Sequence, residues 1–357
     1  MRKLVFFITI VVILSGFSIK TSAESDVDEY ISEFENILPE DMKELDDTGE
    51  ILESVGIEGI FREIISVISG ERSRVLSFFL TLVGVIIMNA LVGLISGELR
   101  EVCRAVVGIL SSIAIFTTVN NLVSEVLLSL DKISSFFSAL IPVTVAVTAF
   151  GGGESSAVVQ GTGMYVSLSL LSKLGGGIFS SVCSFGLASA LLSPLGGQII
   201  QSLSLAVKSI FTRALGIFTA IITATFSLQT VIASAADSAA MRAARYVASG
   251  LIPVVGSTVS GALSTITSGM SYAKGIIGGG GVAVILTLAI SPLLVLLLFR
   301  LALSASIGLS QILDADCSSI LTAYRSALDM ALAVYSLSTL VYLFEIIIFI
   351  KSGVNLS

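Results

Sequence analysis

From residue 75 to residue 350 the chain runs through one apolar stretch of about 20 residues after another, and this repetition limits the fold more than any motif does. A helix of that length crosses a bilayer with its backbone hydrogen bonds satisfied internally, whereas an irregular segment would leave them bare in hydrocarbon. Charged residues make up 13% of the chain, against about 25% in a typical soluble protein. The expected fold is all-α, a polytopic transmembrane helix bundle.

Expected spans are 75–95, 105–123, 133–150 (short, carrying Pro142), 164–195, 214–236, 246–270, 276–299 and 327–350. The run 164–195 is interrupted by "KLGGG" and closed by "SPLGG"; 246–270 is rich in Gly, Ser and Thr and broken at Pro253. Residues 198–213 are amphipathic, the pattern of a helix lying in the interface. This reading gives about eight crossings. The range is seven to nine, because 164–195 folded as a hairpin would invert every later span.

The first residues, "MRKLVFFITIVVILSGFSIKTSAES", have a basic start, an apolar run and small residues before Glu24. That is the pattern of a secretory signal peptide over 1–23, with an uncleaved signal anchor as the other reading. Either way, residues 24–74 emerge on the extracytoplasmic side. They hold 16 of the 26 acids and only four bases, and "VDEYISEFENIL" places apolar residues at helical spacing. The expected domains are therefore 1–23, an acidic helical segment at 24–74, a membrane domain at 75–350 and a tail at 351–357. An outside N-terminus and eight crossings put "SGELREVCR", "DSAAMRAAR" and 300–325 in the cytoplasm. Arg100, Arg104, Arg242, Arg245, Arg300 and Arg325 are then inside, as the positive-inside rule prefers, while Lys208, Arg213, Lys274 and Lys351 are outside.

The chain has no histidine, which removes His-based acid–base catalysis, His metal ligands and every Ser-His or Cys-His pair. It has no GxxxxGK[ST], so no ATP hydrolysis is expected. Cys103, Cys183 and Cys317 lie far apart and are expected to pack as small apolar residues. The chain is expected not to be an enzyme, to hold no cofactor or metal, and to meet the lipid bilayer rather than nucleic acid. Two acids fall within spans. Asp329 follows Arg325 by four residues, the spacing of a pair on one helix face. Glu345 lies deeper, six residues before Lys351. It is either a pathway or interhelical group, or a carboxylate snorkelling to the interface.

Small residues carry two further expectations. Gly275 and Gly279 form a small-xxx-small pair suited to close helix approach. "SKLGGG…LLSPLG" at 172–196 is echoed by "AKGIIGGGG…AISPLL" at 273–294, either as helix packing or as an inverted repeat with broken helices. Asp237 precedes the Ala-rich run "SAAMRAARYVA" and is read as the N-cap of a helix whose later turns carry Arg242 and Arg245. A contact role for these three charges is the alternative.

The segment around them, "RALGIFTAIITATFSLQTVIASAADSAAMRAARYVASGLIPVVGSTVSGAL" (213–263), resembles the core of the stage III sporulation protein AE family of endospore-forming bacteria. The matching elements are Arg213-Ala-Leu-Gly, Leu228-Gln-Thr, the Ala-Ser-Ala-Ala run ending at Asp237, and "LIPVVG" at 251–256. The resemblance implies a multi-pass subunit in the mother-cell membrane around the forespore. It would belong to the channel or export complex linking the two cells, needed for spore development after engulfment. The partners implied are an ATPase, small membrane proteins and ring-forming proteins encoded in the same operon. Two other functions remain open from the residues themselves: a self-sufficient secondary permease and a membrane scaffold without a pore.

Overall fold

The computed structural model describes residues 57–96, 99–150, 154–251 and 256–351, leaving aside the side chains of 57–61, 231–268 and a few scattered positions. The signal peptide, the acidic segment up to residue 56 and the tail beyond Lys351 lie outside the described residues. The described elements are helical: α1 (Ile57–Gly93), α2 (Leu99–Phe150), α3 (Glu154–Ser172), a π-helical stretch (Lys173–Phe179), α4 (Ser180–Leu251), α5 (Gly256–Ile312) and α6 (Ser318–Lys351). Among the described residues six stretches are long and apolar enough to cross a membrane. They are Arg62–Gly93, Leu99–Phe150, Ser155–Leu195, Leu205–Ser227, Tyr272–Ile312 and Ser318–Lys351.

The two segments expected to cross separately, 105–123 and 133–150, are one uninterrupted helix, α2. Its 52 residues extend about 78 Å, more than twice the hydrocarbon thickness of a bilayer. Arg74 of α1 grips Glu125, near the middle of α2, through two hydrogen bonds of 2.6 and 3.1 Å. Exposed Asp131, Lys132 and Lys173 lie near that level, since Leu130 faces Gly175. The charges that suggest a loop between two spans are thus a belt across a continuous helix. "KLGGG" does not break its span either. It widens the turn into the π-helical stretch, and the helix resumes at Ser180.

Side-chain contacts fix the helix directions. Asn89 meets Ser111 and Arg74 meets Glu125, so α1 and α2 are antiparallel. Thr148 meets Gln160, Val145 faces Gly161 and Pro194 faces Gly108, so α2 and Ser155–Leu195 form a long antiparallel pair. Within α4 the chain then reverses. Gln229 touches Gly163, although 66 residues of straight helix would separate them by about 99 Å. Gly186 and Lys208 approach adjacent α6 residues, Met330 and Asp329, which puts the reversal between these two positions, in the stretch that contains Pro194. Residues 198–213, expected to lie in the interface, begin the returning limb: Phe211 is buried and Lys208 reaches α6. Among the six stretches, Leu205–Ser227 is the least enclosed and Ser318–Lys351 the most. Helix α6 is therefore the hub, packed against α2, α3, α4 and α5.

Two prolines determine how α6 meets α2. Proline has no N–H, so Pro194 and Pro292 leave the carbonyls four residues earlier, Ala190 and Leu288, without their usual helical donor. Each is taken by a serine of α2. Ser112 Oγ donates to Ala190 O at 3.0 Å, and Ser129 Oγ to Leu288 O at 3.3 Å. Each serine also meets a tyrosine of α6. Tyr324 lies 3.0 Å from Ser112 Oγ and donates to Ser112 O at 2.8 Å; Tyr335 lies 2.7 Å from Ser129 Oγ and 3.3 Å from Leu288 O. A third pair, Ser134 and Tyr342 at 2.7 Å, extends the line, with the Tyr342 ring 4.6 Å from that of Phe137. The paired residues rise together in number, so α2 and α6 run parallel.

The echoed "SPL" segments thus play the same structural part, each presenting a proline-freed carbonyl to a Ser–Tyr pair. The helices that carry them, Ser155–Leu195 and Tyr272–Ile312, both run antiparallel to α6 and hence parallel to each other. An inverted repeat would set them in opposite directions. Close helix approach occurs at Gly278 and Gly281, one face away from the expected pair. A Cβ at Gly278 would collide with Ile350 Cγ1, and one at Gly281 would meet Ile346 and Leu140 at 3.1 Å. Gly275 has open space beside it, and Gly279 is half-buried.

The α5–α6 turn is closed by a Schellman motif: Ala315 N–H bonds Ser310 O at 2.9 Å and Asp314 N–H bonds Gln311 O at 3.4 Å. Asp314 takes the left-handed position at φ 53°. Nearby Asp316 forms an ion pair with Arg104, tying the turn to the start of α2.

Replacing Ser129 with Ala should strip Leu288 O of a donor and lower stability by on the order of 1 kcal/mol. In a Pro292→Ala background the same change should cost less, because residue 292 again supplies an N–H. Thermal melts of the four detergent-solubilised proteins measure this coupling. Gly278→Leu should overpack against Ile350 and destabilise by about 1–3 kcal/mol, whereas Gly275→Leu should leave the melting temperature of the isolated chain unchanged.

Candidate functional site

Two polar clusters sit on α6, 16 residues or about 24 Å apart. The first gathers three helices around Asp329. Arg300 Nε of α5 donates to Asp329 Oδ1 at 2.5 Å, and Lys208 Nζ of α4 lies 3.5 Å from Oδ2. All three side chains are roughly a third exposed or less. The sequence spacing points to Arg325 as the partner of Asp329. The structure instead brings cations from two other helices, and Arg325 Nε is buried without a hydrogen-bond partner. Local i,i+4 spacing loses here to tertiary contacts that no one-dimensional pattern encodes.

The second cluster surrounds Glu345, which is fully enclosed. The snorkelling alternative is excluded, because the carboxylate points into the bundle. Ser167 Oγ of α3 donates to Glu345 Oε1 at 2.5 Å. Gln229, on the returning limb of α4, is buried beside the carboxylate. Glu345 Oε2 and both polar atoms of the Gln229 amide have no hydrogen-bond partner of good geometry. Gly163 makes room for this amide, since a Cβ there would overlap Gln229 Nε2. Polar groups continue up the α2–α3 pair: Thr148 meets Gln160 at 3.3 Å, and Thr144 meets the Met164 sulfur at 3.4 Å.

Of the residues singled out in the sequence, Asp329 and Glu345 enter polar clusters described with side chains. Asp237, Arg242 and Arg245 fall inside α4, but their side chains lie outside the described residues. Helical backbone continues on both sides of Asp237, so this residue does not occupy a helix N-cap; the Ala-rich run that resembles a helix start extends a helix already under way. Ser167 and Gln229 were missed, as single polar residues in apolar helices carry no periodic signal. Tyr324, Tyr335 and Tyr342 were legible in principle. Their spacings of 11 and 7 residues return to one helix face after three and two turns.

Among the described residues no group of His, Cys, Asp or Glu could hold a metal ion. The three cysteines are free, with Cys183 and Cys317 buried in the packed interior. The clusters thus offer helix-to-helix polar contacts and one enclosed carboxylate.

Residues 45–353 match the family described as Stage III sporulation protein AE. The chain belongs to this family. It is 29% identical over 168 residues to the Stage III sporulation protein AE of Bacillus subtilis (strain 168). That alignment covers 46% of this chain and spans 41% of the relative's length. No solved structure matches the chain.

Asp329 should tolerate loss of charge poorly. Asp329→Asn should destabilise the solubilised protein by on the order of 1 kcal/mol, read as a lowered melting temperature, and Arg300→Met should cost a similar amount. The double variant should lose less than the sum, which a double-mutant cycle reads directly.

Proposed function

We propose that this chain is a non-enzymatic, multi-pass membrane subunit of the channel or export complex between mother cell and forespore, required for spore development after engulfment. Family membership carries this reading. The bundle is compatible with it: membrane-length helices pack through small residues, Ser–Tyr pairs and interhelical charges. Energy would come from another chain, since this one has no nucleotide-binding motif. The partners of this reading are the ATPase, the small membrane proteins and the ring-forming proteins of the same sporulation stage. The location is the mother-cell membrane surrounding the forespore.

In this reading residues 1–23 direct export and the acidic segment begins outside the cytoplasm. The alternating directions of the six stretches then favour an extracytoplasmic position for 228–271, opposite to the side assigned from charge and a count of eight crossings. A self-sufficient permease is the second reading, favoured by the enclosed Glu345.

Purification from sporulating cells separates the two. Recovery with an ATPase-containing assembly, and no solute flux through the reconstituted chain alone, is the expected result; flux through the chain alone would favour the permease. Cysteine labelling in a variant lacking the native cysteines should reach both Ser25→Cys and Ser238→Cys from outside. Cytoplasmic labelling at 238 would restore a further crossing between 205 and 272.

A further inference from the structure

We infer that Glu345, Ser167 and Gln229 form a proton-binding site enclosed between α3, the returning limb of α4 and α6. The inference rests on geometry and is independent of the family's role. Glu345 and Gln229 are each more than nine-tenths buried, and Glu345 has no ion-pair partner among the described residues. An unpaired carboxylate in such a place is costly, and the surroundings do not supply the compensating charge. On the packed elements, Lys274 of α5 sits over the Phe349 ring at 5.9 Å, and Lys351 is exposed at the end of α6. Lys173 beyond α3 and Asp131 and Lys132 of α2 are exposed toward the charged belt. The returning limb of α4 brings Lys208, which is engaged with Asp329, and exposed Arg213.

One proton resolves the arrangement. Ser167 already donates to Oε1, leaving Oε2 and the Gln229 amide unmatched. The Gln229 amide can donate from Nε2 to a charged Oε2 or accept at its own oxygen from a protonated one, and only the protonated pair leaves no uncompensated charge in the enclosed site. A small rotation of the amide completes the hydrogen bond. A metal cation fits less well, because the pocket offers few oxygens and a single carboxylate. Gly163 fits this reading too, since its missing side chain is what admits Gln229.

The test uses the full-length protein in detergent or proteoliposomes, with dicyclohexylcarbodiimide as the probe. This apolar reagent reacts with protonated carboxyl groups: the carboxyl oxygen adds to the carbodiimide carbon and its proton moves to a ring-bearing nitrogen. Mass spectrometry should find the adduct on Glu345, with labelling that falls about tenfold per pH unit above its midpoint and is unaffected by sodium at fixed pH. Infrared spectra report the same proton without reagent access. A protonated-carboxyl band should be present in the wild type, fade as pH rises, and be missing from Glu345→Gln. Because the amide mimics the neutral acid, Glu345→Gln should melt within a few degrees of the wild type. Absence of that band at every pH would overturn the site, as would suppression of labelling by sodium at constant pH. Collapse of Glu345→Gln alongside a wild type that lacks the band would mean that the carboxylate is needed as a charge.

Discussion

A proline inside an apolar helix leaves a carbonyl that water cannot reach, and much of this bundle is organised around answering that deficit twice. Pro194 and Pro292 free Ala190 O and Leu288 O, and both are met by serines of α2 backed by tyrosines of α6. In a soluble protein, solvent or a loop could satisfy such groups. In a bundle of apolar helices the donor for these two carbonyls comes from a neighbour, so Pro194 and Pro292 each specify a partner, a height and a rotation. The parallel pairing of α2 with α6 and the placement of two flanking helices follow from those bonds.

The rest of the packing respects the same register. Gly278 and Gly281 let α5 close on α6 at one end, and Gly186 admits the Met330 methyl group toward the other. Asp329 draws a cation from α5 and another from α4, so the folded-back limb of α4 is held by charge where it has little burial. Glu345 and Gln229 make a second polar junction higher on α6. Between these levels the Ser–Tyr line is continuous. The hub helix is therefore positioned by polar contacts at defined heights, with apolar packing filling the space between them. That division is expected where hydrophobicity drives chains into the membrane but does not distinguish one apolar helix face from another.

How much of this could be read in advance differs by element. The two "SPL" segments are visible in the sequence as an echo, but "SPLGG" does not end the helical backbone, which continues through Pro194 to Leu251. The separation of 105–123 from 133–150 fails for a physical reason. Asn, Glu, Asp and Lys between apolar halves suggest a loop, yet each can remain helical when its side chain reaches a belt of opposite charges, as Glu125 does toward Arg74. Residues 198–213 look interfacial because Lys208 and Arg213 interrupt the apolar face, but Lys208 has a buried-side partner in Asp329. Asp237 looks like a cap because acids favour helix starts; the helix that contains it begins far upstream.

The sequence by itself determined the apolar character of the helices, the all-helical character, the lack of histidine and of a GxxxxGK[ST] motif and, through residues 213–263, the family. These depend on composition, on runs longer than a bilayer is thick and on local motifs, which need no partner. Only the tertiary structure decided that α4 folds back, which prolines have their carbonyls answered, that Asp329 pairs across helices and not along its own, and that Glu345 faces Ser167 and Gln229. Each of these is a contact between residues far apart in the chain. In an apolar helix every face is chemically alike until a neighbouring helix arrives to choose one.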